Sequence, residues 1–315
     1  MQDNSDVLQN KNMELLTPQN WHNYELIDSG DYEKLERFGK YILRRPEPQA
    51  VWRKALPEKE WAERTDAWFK KEKGKSALEG NEKGEWILKP HTPQQWFINY
   101  TYHTVETGHA LSLRFRLGLT AFKHVGIFPE QAENWNYIYD SVQRLNREQP
   151  KVLNLFAYTG GASLAAKAAG ADVTHVDSVK QVLNWARENM EASGLDNIRW
   201  VLEDALKFVK REVKREKRYQ GIILDPPAYG RGPDGEKWIL EDNIAELMEA
   251  CSRILEPQNS FCVLNLYSMG FSSLIAESLM KDYFPNASQI EFGELFLPDN
   301  SKRKLPLSVF CRIRT

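Results

Sequence analysis

The sequence predicts a doubly wound α/β domain that follows a smaller β-rich domain. From residue 151 onward, short apolar runs alternate with longer amphipathic segments, as in parallel strands joined by helices. The first apolar run, residues 152–156, is followed by the glycine pair Gly160 and Gly161 and an alanine-rich segment. Residues 20–120 instead contain short alternating runs, which are typical of antiparallel strands.

Length and composition limit the possible classes of protein. The chain has 315 residues, enough for two domains, and its 42% hydrophobic and 27% charged residues are typical of a soluble globular protein. No apolar run is long enough to span a bilayer, and the polar residues 1–19 do not resemble a signal peptide. The net charge of −2 excludes a uniformly basic surface, so any nucleic-acid contact would use local basic patches.

The cysteines and histidines lack the spacing of metal ligands, so the sequence predicts no metal site. A low, odd number of cysteines is typical of reduced thiols. We therefore expect a cytoplasmic protein with three unpaired thiols, Cys251, Cys262 and Cys311.

The N-terminal third is predicted to contain an extended or disordered segment, residues 1–20, and a β-rich domain, residues 21–122. Within that domain, residues 35–43 predict a hairpin that turns near Gly39. Residues 57–85 are rich in Lys, Glu and Gly and predict a mobile segment that leaves the sheet. A short helix in this segment is expected to contain Trp61, Trp68 and Phe69.

Residues 123–315 are predicted to form the α/β domain. A helix should begin near Pro129, which is followed by acidic residues. The further helices are predicted at residues 179–193, 204–218, 240–255 and 271–283. The strands after the first are predicted at residues 172–177, 197–204, 221–227, 260–267, 288–297 and 306–314. The last two strands should form a hairpin at the sheet edge.

The glycine pair and the strand after it indicate a nucleoside site. Glycine allows backbone to approach a ligand closely, and the second strand ends at Asp177, 16 residues after Gly161. A carboxylate there can accept hydrogen bonds from the two ribose hydroxyls. An ordinary strand-to-helix turn would also explain the glycines. The spacing is not G-x-G-x-x-G, so a dinucleotide has no phosphate cradle, and S-adenosylmethionine fits better.

Asp204 follows the third predicted strand and has two possible roles. Its carboxylate could accept a hydrogen bond from an adenine amino group. It could also cap the helix predicted at residues 204–218, a position that Asp favours. Both roles can coexist.

The stretch Asp225-Pro-Pro-Ala-Tyr229 is the most specific motif in the sequence. Two consecutive prolines stiffen a turn and lack N–H groups. We expect the Asp225 carboxylate and the Pro226 carbonyl to orient an amino group of a planar acceptor. Tyr229 is expected to stack on the acceptor ring. A proline turn that merely closes the strand is the structural alternative.

Residues 125–315 resemble the class I S-adenosylmethionine-dependent methyltransferases. They are most similar to the bacterial 23S rRNA large-subunit enzymes that modify cytosine-5 or guanine-N7. The resemblance rests on residues 154–161 as the cofactor motif and residues 225–229 as the catalytic motif. It implies a Rossmann-like, seven-stranded methyltransferase sheet. The implied cofactor-binding residues are Gln131, Phe156, Ala157, Tyr158, Thr159, Gly160, Gly161, Asp177, Ser178, Asp204, Ala205 and Asp225. The implied catalytic residues are Asp225, Pro226, Pro227 and Tyr229.

The sequence departs from this family's pattern in three places. The family element Gly-x-Phe-Leu-Asp-Gln-Arg corresponds to residues 126–132, with Glu130 in place of Asp and Ala132 in place of Arg. The cytosine-5 enzymes carry a nucleophilic cysteine where this chain has residues 265–268, and Cys262 is expected to be an inert core thiol. Nitrogen methylation is therefore favoured over carbon-5 methylation. Residues 20–120 do not match the family's N-terminal RNA-binding domain.

Three basic clusters bear on an RNA substrate. Seven Lys and Arg side chains lie within residues 207–218, which most simply form a solvated helix face. A second cluster follows Trp68 and Phe69 and comprises Lys70, Lys71, Lys73 and Lys75. These lysines could bind the phosphate backbone of RNA. Residues 302–304 form the third cluster. From the family resemblance and these clusters, we expect an RNA substrate, with ribosomal RNA preferred. The alternatives are a methyltransferase for a small metabolite or a protein side chain, a non-catalytic RNA-binding factor and, more remotely, a dinucleotide oxidoreductase.

Overall fold

The computed structural model describes residues 12–71, 83–103, 110–145, 147–267 and 270–315. Its strands are β1 (Glu14–Leu16), β2 (Tyr24–Gly30), β3 (Glu33–Phe38), β4 (Tyr41–Pro46), β5 (Ala67–Lys71), β6 (Gly84–Leu88), β7 (Gln95–His103), β8 (Ala110–Gly118), β9 (Lys151–Leu155), β10 (Asp172–Asp177), β11 (Arg199–Leu202), β12 (Gly221–Leu224), β13 (Tyr229–Arg231), β14 (Lys237–Ile239), β15 (Phe261–Leu266), β16 (Gln289–Pro298) and β17 (Lys304–Arg314). Its helices are α1 (Glu58–Arg64), α2 (Ala132–Arg144), α3 (Gly161–Ala168), α4 (Lys180–Ala192), α5 (Ala205–Lys214), α6 (Leu240–Ile254) and α7 (Ser273–Tyr283), with a 3₁₀ turn at Pro129–Gln131.

The central sheet has the strand order β1-β16-β17-β15-β12-β9-β10-β11. Strands β9, β10, β11, β12 and β15 run parallel, and β17 lies antiparallel between β15 and β16. The chain leaves β9 first toward β10 and β11, and then returns to β12 on the other side. This reversal opens a crevice at the carboxyl ends of β9 and β12, where ligands bind in such sheets. The doubly wound prediction and the closing hairpin are confirmed.

The sheet has one strand more than the seven predicted. Residues 14–16, expected to be part of an extended or disordered terminus, form β1 and pair in parallel with the edge strand β16. Gly293 makes this close approach possible, because a Cβ there would meet the Glu14 carbonyl oxygen at 1.8 Å. A three-residue strand is too short to show an alternating pattern, and only the unpaired edge of β16 stabilises it.

The N-terminal sheet has the order β2-β3-β4-β5-β6. The predicted hairpin is confirmed as β3–β4, with Gly39 at a φ of +64° in the turn. Trp61 lies in α1 as expected, but Trp68 and Phe69 lie in β5, so the prediction that they are helical is wrong. The helix ends at Thr65, and the run Ala67-Trp-Phe has the aromatic composition that suits a strand.

The hairpin β7–β8 lies against helices α2 and α4, although the sequence placed it in the N-terminal domain. Trp185 of α4 donates through Nε1 to the Arg116 carbonyl oxygen (2.8 Å), and Asn189 accepts from the Arg116 N–H (2.8 Å). Tyr100 donates through its hydroxyl to Asn136 of α2 (2.7 Å). The hairpin therefore joins the two parts of the chain.

A buried ion-pair network fastens the N-terminal sheet to the β16–β17 turn. Arg303 donates through Nε to Asp299 (2.8 Å) and through a second nitrogen to Asp28 in β2. Ser29 donates through its hydroxyl to Asp299 (3.0 Å). Both carboxylates are almost completely buried, so each needs these partners.

Candidate active site

The loop between β9 and α3 is wound tightly at the carboxyl end of the central strand. Phe156, Tyr158 and Gly160 have φ angles of +55°, +50° and +93°, in the left-handed region that bulky side chains rarely adopt. The Ala157 N–H donates to the Val176 carbonyl oxygen (3.1 Å), and the Gly160 N–H donates to Ala157 (3.1 Å). Such strain persists only where the surroundings enforce it, and it is concentrated at functional sites.

The two glycines of this loop are needed for different reasons. Gly160 supplies the left-handed turn. Gly161, the first residue of α3, packs against the indole of Trp135, where a Cβ would approach to 2.6 Å. Close packing against Trp135 therefore accounts for Gly161 without a ligand, whereas the sequence had suggested either ligand approach or an ordinary strand-to-helix turn.

Asp177 holds the loop in place from the end of β10. Its Oδ2 accepts from the Tyr158 N–H and its Oδ1 from the Val179 N–H, both at 2.9 Å. Burial raises the pKa of Asp177 above its ordinary value, although these backbone donors favour the charged form. An ionised carboxylate has about four lone-pair sites, so Asp177 can still accept from a ligand hydroxyl.

A cleft opens beside this loop and reaches to the end of β12. Its walls comprise Phe115, Ile127, Phe128, Gln131, Asn134, Trp135, Ile138, Asn154, Phe156, Ala157, Tyr158, Thr159, Gly160, Gly161, Ala162, Ile223, Leu224, Asp225, Val263 and Asn265. The cleft thus brings together Gln131, residues 156–161 and Asp225 from the predicted site. Asp177, Ser178, Asp204, Ala205, Pro226, Pro227 and Tyr229 lie outside its walls.

Thr159 was predicted to contact the cofactor, but its side chain is occupied within the protein. Its hydroxyl donates to the Gly126 carbonyl oxygen (2.7 Å), and its own carbonyl accepts from Asn189 (2.9 Å). Thr159 is almost fully buried. Its main role in the structure is to tie the loop to the segment before the Pro129–Gln131 turn.

Asp204 caps helix α5, as one of its two predicted roles requires. Its Oδ1 accepts from the Lys207 N–H at 2.8 Å. It lies on a separate groove with Glu203, Lys207 and Trp238, beyond the cleft. Ala205 beside it is buried. Asp177 ends the neighbouring strand β10, and its carbonyl oxygen accepts from the Glu203 N–H (3.2 Å). Asp177 and Asp204 therefore both lie at the carboxyl ends of the strands.

Asp225 lies at the end of β12 with its carboxyl group in the cleft wall. Asn265, at the end of the adjacent strand β15, donates through Nδ2 to Asp225 Oδ1 at 2.6 Å. Burial raises the pKa of Asp225 to about 6, against the opposing effect of the Asn265 hydrogen bond. The site therefore holds a carboxylate that is ionised at neutral pH but only weakly solvated.

The turn at Pro226 and Pro227 is held in place by a residue of the hairpin β13–β14. Trp238 donates through Nε1 to the Pro227 carbonyl oxygen (2.7 Å) and packs on Phe156 with ring centroids 4.7 Å apart. Tyr229 begins β13 with half of its side-chain surface exposed. The Pro227 carbonyl is thus occupied by protein, while Tyr229 is accessible for stacking outside the cleft.

Several lining residues were missed because they are far apart in the sequence. Asn134, Trp135, Asn154 and Asn265 come from α2, β9 and β15. Two of them gave a recognisable signal, since each is a polar residue within an apolar strand. Asn154 donates to Ser163 (2.9 Å), and such a buried amide is retained only where it is hydrogen-bonded.

A smaller, charged pocket adjoins the cleft across Ile127 and Phe128, which line both. Lys34 of the N-terminal sheet lines it and pairs there with Glu47 (3.2 Å). Burial raises the pKa of Glu130 to about 7, and the attraction of Lys34 opposes this rise. The Pro129–Gln131 turn therefore presents Glu130 to the charged pocket and Gln131 to the cleft.

The basic clusters differ in their surroundings. On α5, Lys207 pairs with Asp234 and Glu236 (both 2.9 Å), and Arg211 pairs with Glu203 (2.5 Å), as expected of a solvated face. Arg303 of the third cluster belongs to the network with Asp28 and Asp299. In the remaining cluster, Phe69 is buried and cannot stack on a base, while Lys73 and Lys75 lie outside the described residues.

The three cysteines are buried and unpaired, and burial raises the pKa of each thiol. Cys262 is buried near the start of β15, as expected of a core thiol. Residues 265–267 contain no cysteine, and Ser268 lies outside the described residues. Over the described ranges, no group of three or more His, Cys, Asp or Glu residues has metal-ligand geometry. No helix of this part of the chain is long and apolar enough to span a bilayer.

The site suits S-adenosylmethionine better than a dinucleotide. The N–H groups of Ala157, Tyr158 and Gly160 all donate within the protein, so they are not free to cradle a pyrophosphate. Asp177 keeps acceptor capacity for ribose hydroxyls at the sheet edge. The half-buried carboxyl of Asp225 lies in the same cleft, where the amides of Gln131 and Asn134 are hydrogen-bonded to each other (2.7 Å).

Comparison with known proteins agrees with this chemistry. The sequence model of the S-adenosylmethionine-dependent methyltransferases matches residues 85–281. The crystal structure of a SAM-dependent methyltransferase from Agrobacterium tumefaciens is similar, with 35% identity, a TM-score of 0.82 and coverage of 96% of this chain and 93% of that one. SMU.776 complexed with SAH shares the fold at 18% identity and a TM-score of 0.66, over 92% of this chain and 75% of that one.

Two curated relatives are ribosomal RNA large subunit methyltransferases K/L. The one from Shewanella frigidimarina is 30% identical over 156 residues, which cover 48% of this chain and 21% of the relative. The one from Allochromatium vinosum is 29% identical over 224 residues, which cover 64% of this chain and 29% of the relative. This chain therefore spans less than a third of either relative. By the family match and the Agrobacterium structure, it belongs to the S-adenosylmethionine-dependent methyltransferase family.

Proposed function

We propose that this enzyme methylates a nitrogen of an RNA base, with ribosomal RNA as the preferred substrate, in the cytoplasm. The observation that carries the proposal is the half-buried Asp225 carboxyl, with its raised pKa, at the end of β12 in the wall of the cleft. Asp225 lies where a methyl acceptor would approach the cofactor. The carboxyl end of the neighbouring strand β15, residues 265–267, contains no cysteine that could attack a base during carbon-5 methylation. The names of the K/L relatives support ribosomal RNA.

S-adenosylmethionine supplies an electrophilic methyl group on a sulfonium, so the protein's task is mainly alignment and exclusion of water. Asp177 would hold the ribose, Asp204 the adenine edge, and the cleft amides of Gln131 and Asn134 the amino-acid end. Fixed placement of two reactants lowers a barrier by about 7–11 kcal/mol in favourable cases. No strong general base is required, because the acceptor nitrogen can lose its proton after it has been methylated.

The acceptor would be held between the proline turn and the hairpin β13–β14. Asp225 and the Pro226 carbonyl would orient its polar edge, and Tyr229, half exposed at the mouth, would stack on its ring. Stacking of a base on an aromatic side chain contributes about 1–3 kcal/mol. Trp238 keeps this arrangement rigid through its hydrogen bond to Pro227.

The N-terminal domain contributes to the same region. Its Lys34 and Arg45 line the charged pocket that adjoins the cleft across Phe128. Both side chains are buried and paired with carboxylates, Lys34 with Glu47 (3.2 Å) and Arg45 with Glu36 (2.5 Å), so they connect the N-terminal sheet to the rim of the cleft rather than bind a phosphate themselves. We therefore infer that residues 21–122 form a substrate-binding domain and residues 123–315 the catalytic domain.

A substrate panel tests the proposal. The purified enzyme receives S-adenosylmethionine with a labelled methyl group, together with ribosomal RNA, transfer RNA, a protein extract or a metabolite extract. We expect label in ribosomal RNA that is recovered as one modified nucleoside. Label only in the metabolite or protein extract would favour the corresponding methyltransferase instead. RNA binding without transfer to any extract would favour a non-catalytic factor.

A further inference from the structure

A chain of hydrogen bonds joins strand β17 to two amides of the cleft wall. Gln131 donates through Nε2 to the Ser308 hydroxyl oxygen (3.1 Å), and Asn134 donates through Nδ2 to Gln131 Oε1 (2.7 Å). Arg312 completes the chain by donating through Nε to Asn134 Oδ1 (2.8 Å). All four side chains are buried, and Gln131 and Asn134 line the cleft.

The spacing of these residues explains why they meet. Ser308 and Arg312 are four positions apart on β17, so their side chains project from the same face of the sheet. Gln131 and Asn134 are three positions apart at the start of α2, which makes them neighbours on the helix surface. Arg312 is paired in register with Val263 of β15, which itself lines the cleft. Arg312 therefore lies one strand away from the cleft wall.

Arg312 is the member that fixes the direction of this chain. An amide carries both a donor and an acceptor, and the Ser308 hydroxyl can donate or accept, so the other three side chains could be hydrogen-bonded in either direction. A guanidinium only donates. It turns the oxygen of Asn134 toward itself, so the Asn134 NH₂ group faces Gln131 and the Gln131 NH₂ group faces Ser308.

This direction determines which atoms the two amides have left for a ligand. The NH₂ groups of Asn134 and Gln131 carry two hydrogens each, and the chain uses one hydrogen of each. The remaining N–H groups suit a carboxylate, which only accepts hydrogen bonds and is present at the amino-acid end of the cofactor. In a chain of the opposite direction, the oxygen and nitrogen of each amide would exchange places, and the free N–H groups would point elsewhere.

The surroundings of Arg312 make its charge costly. The guanidinium carbon lies 4.4 Å from the ring centroid of Phe310 and 4.9 Å from that of Tyr137, and burial lowers the pKa of Arg312. Its Nη2 is buried and has no hydrogen-bond partner among the described residues. An apolar side chain would pack between these rings without the cost of burying a cation and an unpaired N–H. The hydrogen bond to Asn134 gives a reason for the guanidinium.

We propose that Arg312 is a positioning residue of the cofactor site, which fixes the direction of the hydrogen-bond chain so that the free N–H groups of Asn134 and Gln131 meet the carboxylate of S-adenosylmethionine. This rests on the part of the proposed function that assigns these two amides to the amino-acid end of the cofactor. It requires nothing of the RNA substrate. Arg312 acts through Asn134 and is not itself a contact of the cofactor.

The first test compares the binding of two ligands to the full-length enzyme by calorimetry. S-adenosylhomocysteine carries the amino-acid end, and 5′-methylthioadenosine lacks it. We expect Arg312→Met to raise the Kd of S-adenosylhomocysteine about tenfold and to leave the Kd of 5′-methylthioadenosine within about twofold of wild type. Arg314→Met is the matched control, because Arg314 also lies on β17, donates to Ser141 of α2 and lies over the Tyr137 ring, but is not part of the chain. It should change neither Kd by more than about twofold.

Two results for Arg312→Met would overturn the inference. One is an unchanged Kd of S-adenosylhomocysteine, and the other is an equal loss of affinity for both ligands, which indicates a purely structural role. Equal affinity of the wild-type enzyme for the two ligands would overturn the inference together with the assignment of the amides to the amino-acid end. The RNA substrate is tested separately by the substrate panel, and its outcome does not change these affinities.

Asn134→Asp tests the same inference in a variant that keeps Arg312, and it decides the matter if thermal unfolding shows that Arg312→Met is not folded. The new carboxylate retains Arg312 as its partner but has no N–H, so Gln131 must turn its NH₂ group toward it. We expect the Kd of S-adenosylhomocysteine to rise about tenfold, with the Kd of 5′-methylthioadenosine unchanged. Wild-type affinity of Asn134→Asp for S-adenosylhomocysteine would overturn the inference.

Discussion

Asp225 gives the clearest prediction at the scale of single residues. Its raised pKa of about 6 means that the carboxylate is protonated below that pH and then accepts fewer hydrogen bonds. We expect kcat/KM for methyl transfer to be constant above about pH 7 and to fall about tenfold per pH unit well below about pH 6. Asp225→Asn should lower the rate steeply, remove this pH dependence and keep cofactor affinity. A wild-type profile that is flat down to about pH 5 would contradict the assignment.

The same pKa has a consequence for stability. Because the folded state binds the proton more tightly than the unfolded chain, the contribution of Asp225 to the free energy of unfolding decreases as pH rises from about 4 to about 6. Above about pH 6 this contribution is constant. The site therefore keeps a carboxylate at some cost in stability, as is common where a residue serves chemistry rather than packing.

Gly161 distinguishes packing from ligand contact. The Cβ of Gly161→Ala would approach Trp135 to 2.6 Å, so we expect the free energy of unfolding to fall by about 1–3 kcal/mol in a denaturant titration. The double variant with Trp135→Leu should lose less than the sum of the two single variants. Normal stability in Gly161→Ala combined with weakened cofactor binding would instead show that the glycine is needed for ligand approach.

At the scale of elements, Arg303 joins the β16–β17 turn to the N-terminal sheet. Removing it leaves the buried carboxylates of Asp28 and Asp299 with one partner fewer. We expect Arg303→Ala to lower the free energy of unfolding by about 3–5 kcal/mol, or to undock the N-terminal sheet and expose it to protease. Lys302→Ala, which removes an exposed neighbouring charge, is the matched control and should change stability by less than about 0.5 kcal/mol. Equal free energies of unfolding for the two variants would show that the ion-pair network does not stabilise the packing of the N-terminal sheet on the β16–β17 turn.

The lysine cluster that begins in β5 is the part of the N-terminal domain proposed to bind RNA. Lys70 already lies over the Trp68 ring, 4.2 Å from its centroid, so the element presents cations beside an aromatic surface. We expect replacement of Lys70, Lys71, Lys73 and Lys75 by Gln to weaken RNA binding and to reduce the salt slope by about 0.7–0.9 for each phosphate that the variant no longer neutralises. The control replaces Lys207 and Lys210 of α5, which already have carboxylate partners. An RNA affinity and a salt slope that stay unchanged in the four-lysine variant would show that these lysines do not bind RNA.

At the scale of the whole molecule, the succession of strands and helices along residues 151–315 and the glycine loop after β9 could be predicted from the sequence. Their signals are local: an apolar run, the glycines that follow it, and acids at strand ends. The partnership of Asp225 with Asn265 could not be predicted, because only the parallel register of β12 and β15 brings together residues that are 40 positions apart. The strand β1 was missed because three residues carry no pattern. Trp68 and Phe69 were placed in a helix because the change from helix to strand spacing is not visible in so short a run.

The central claim is that this chain methylates a base of ribosomal RNA through Asp225. The most direct measurement is mass spectrometry of nucleosides from the ribosomal RNA of source cells with and without the gene. We expect one methylated nucleoside to disappear in the deletion strain. It should return with the wild-type gene but not with Asp225→Ala. A ribosomal RNA whose methylated nucleosides are identical in all of these strains would contradict the claim.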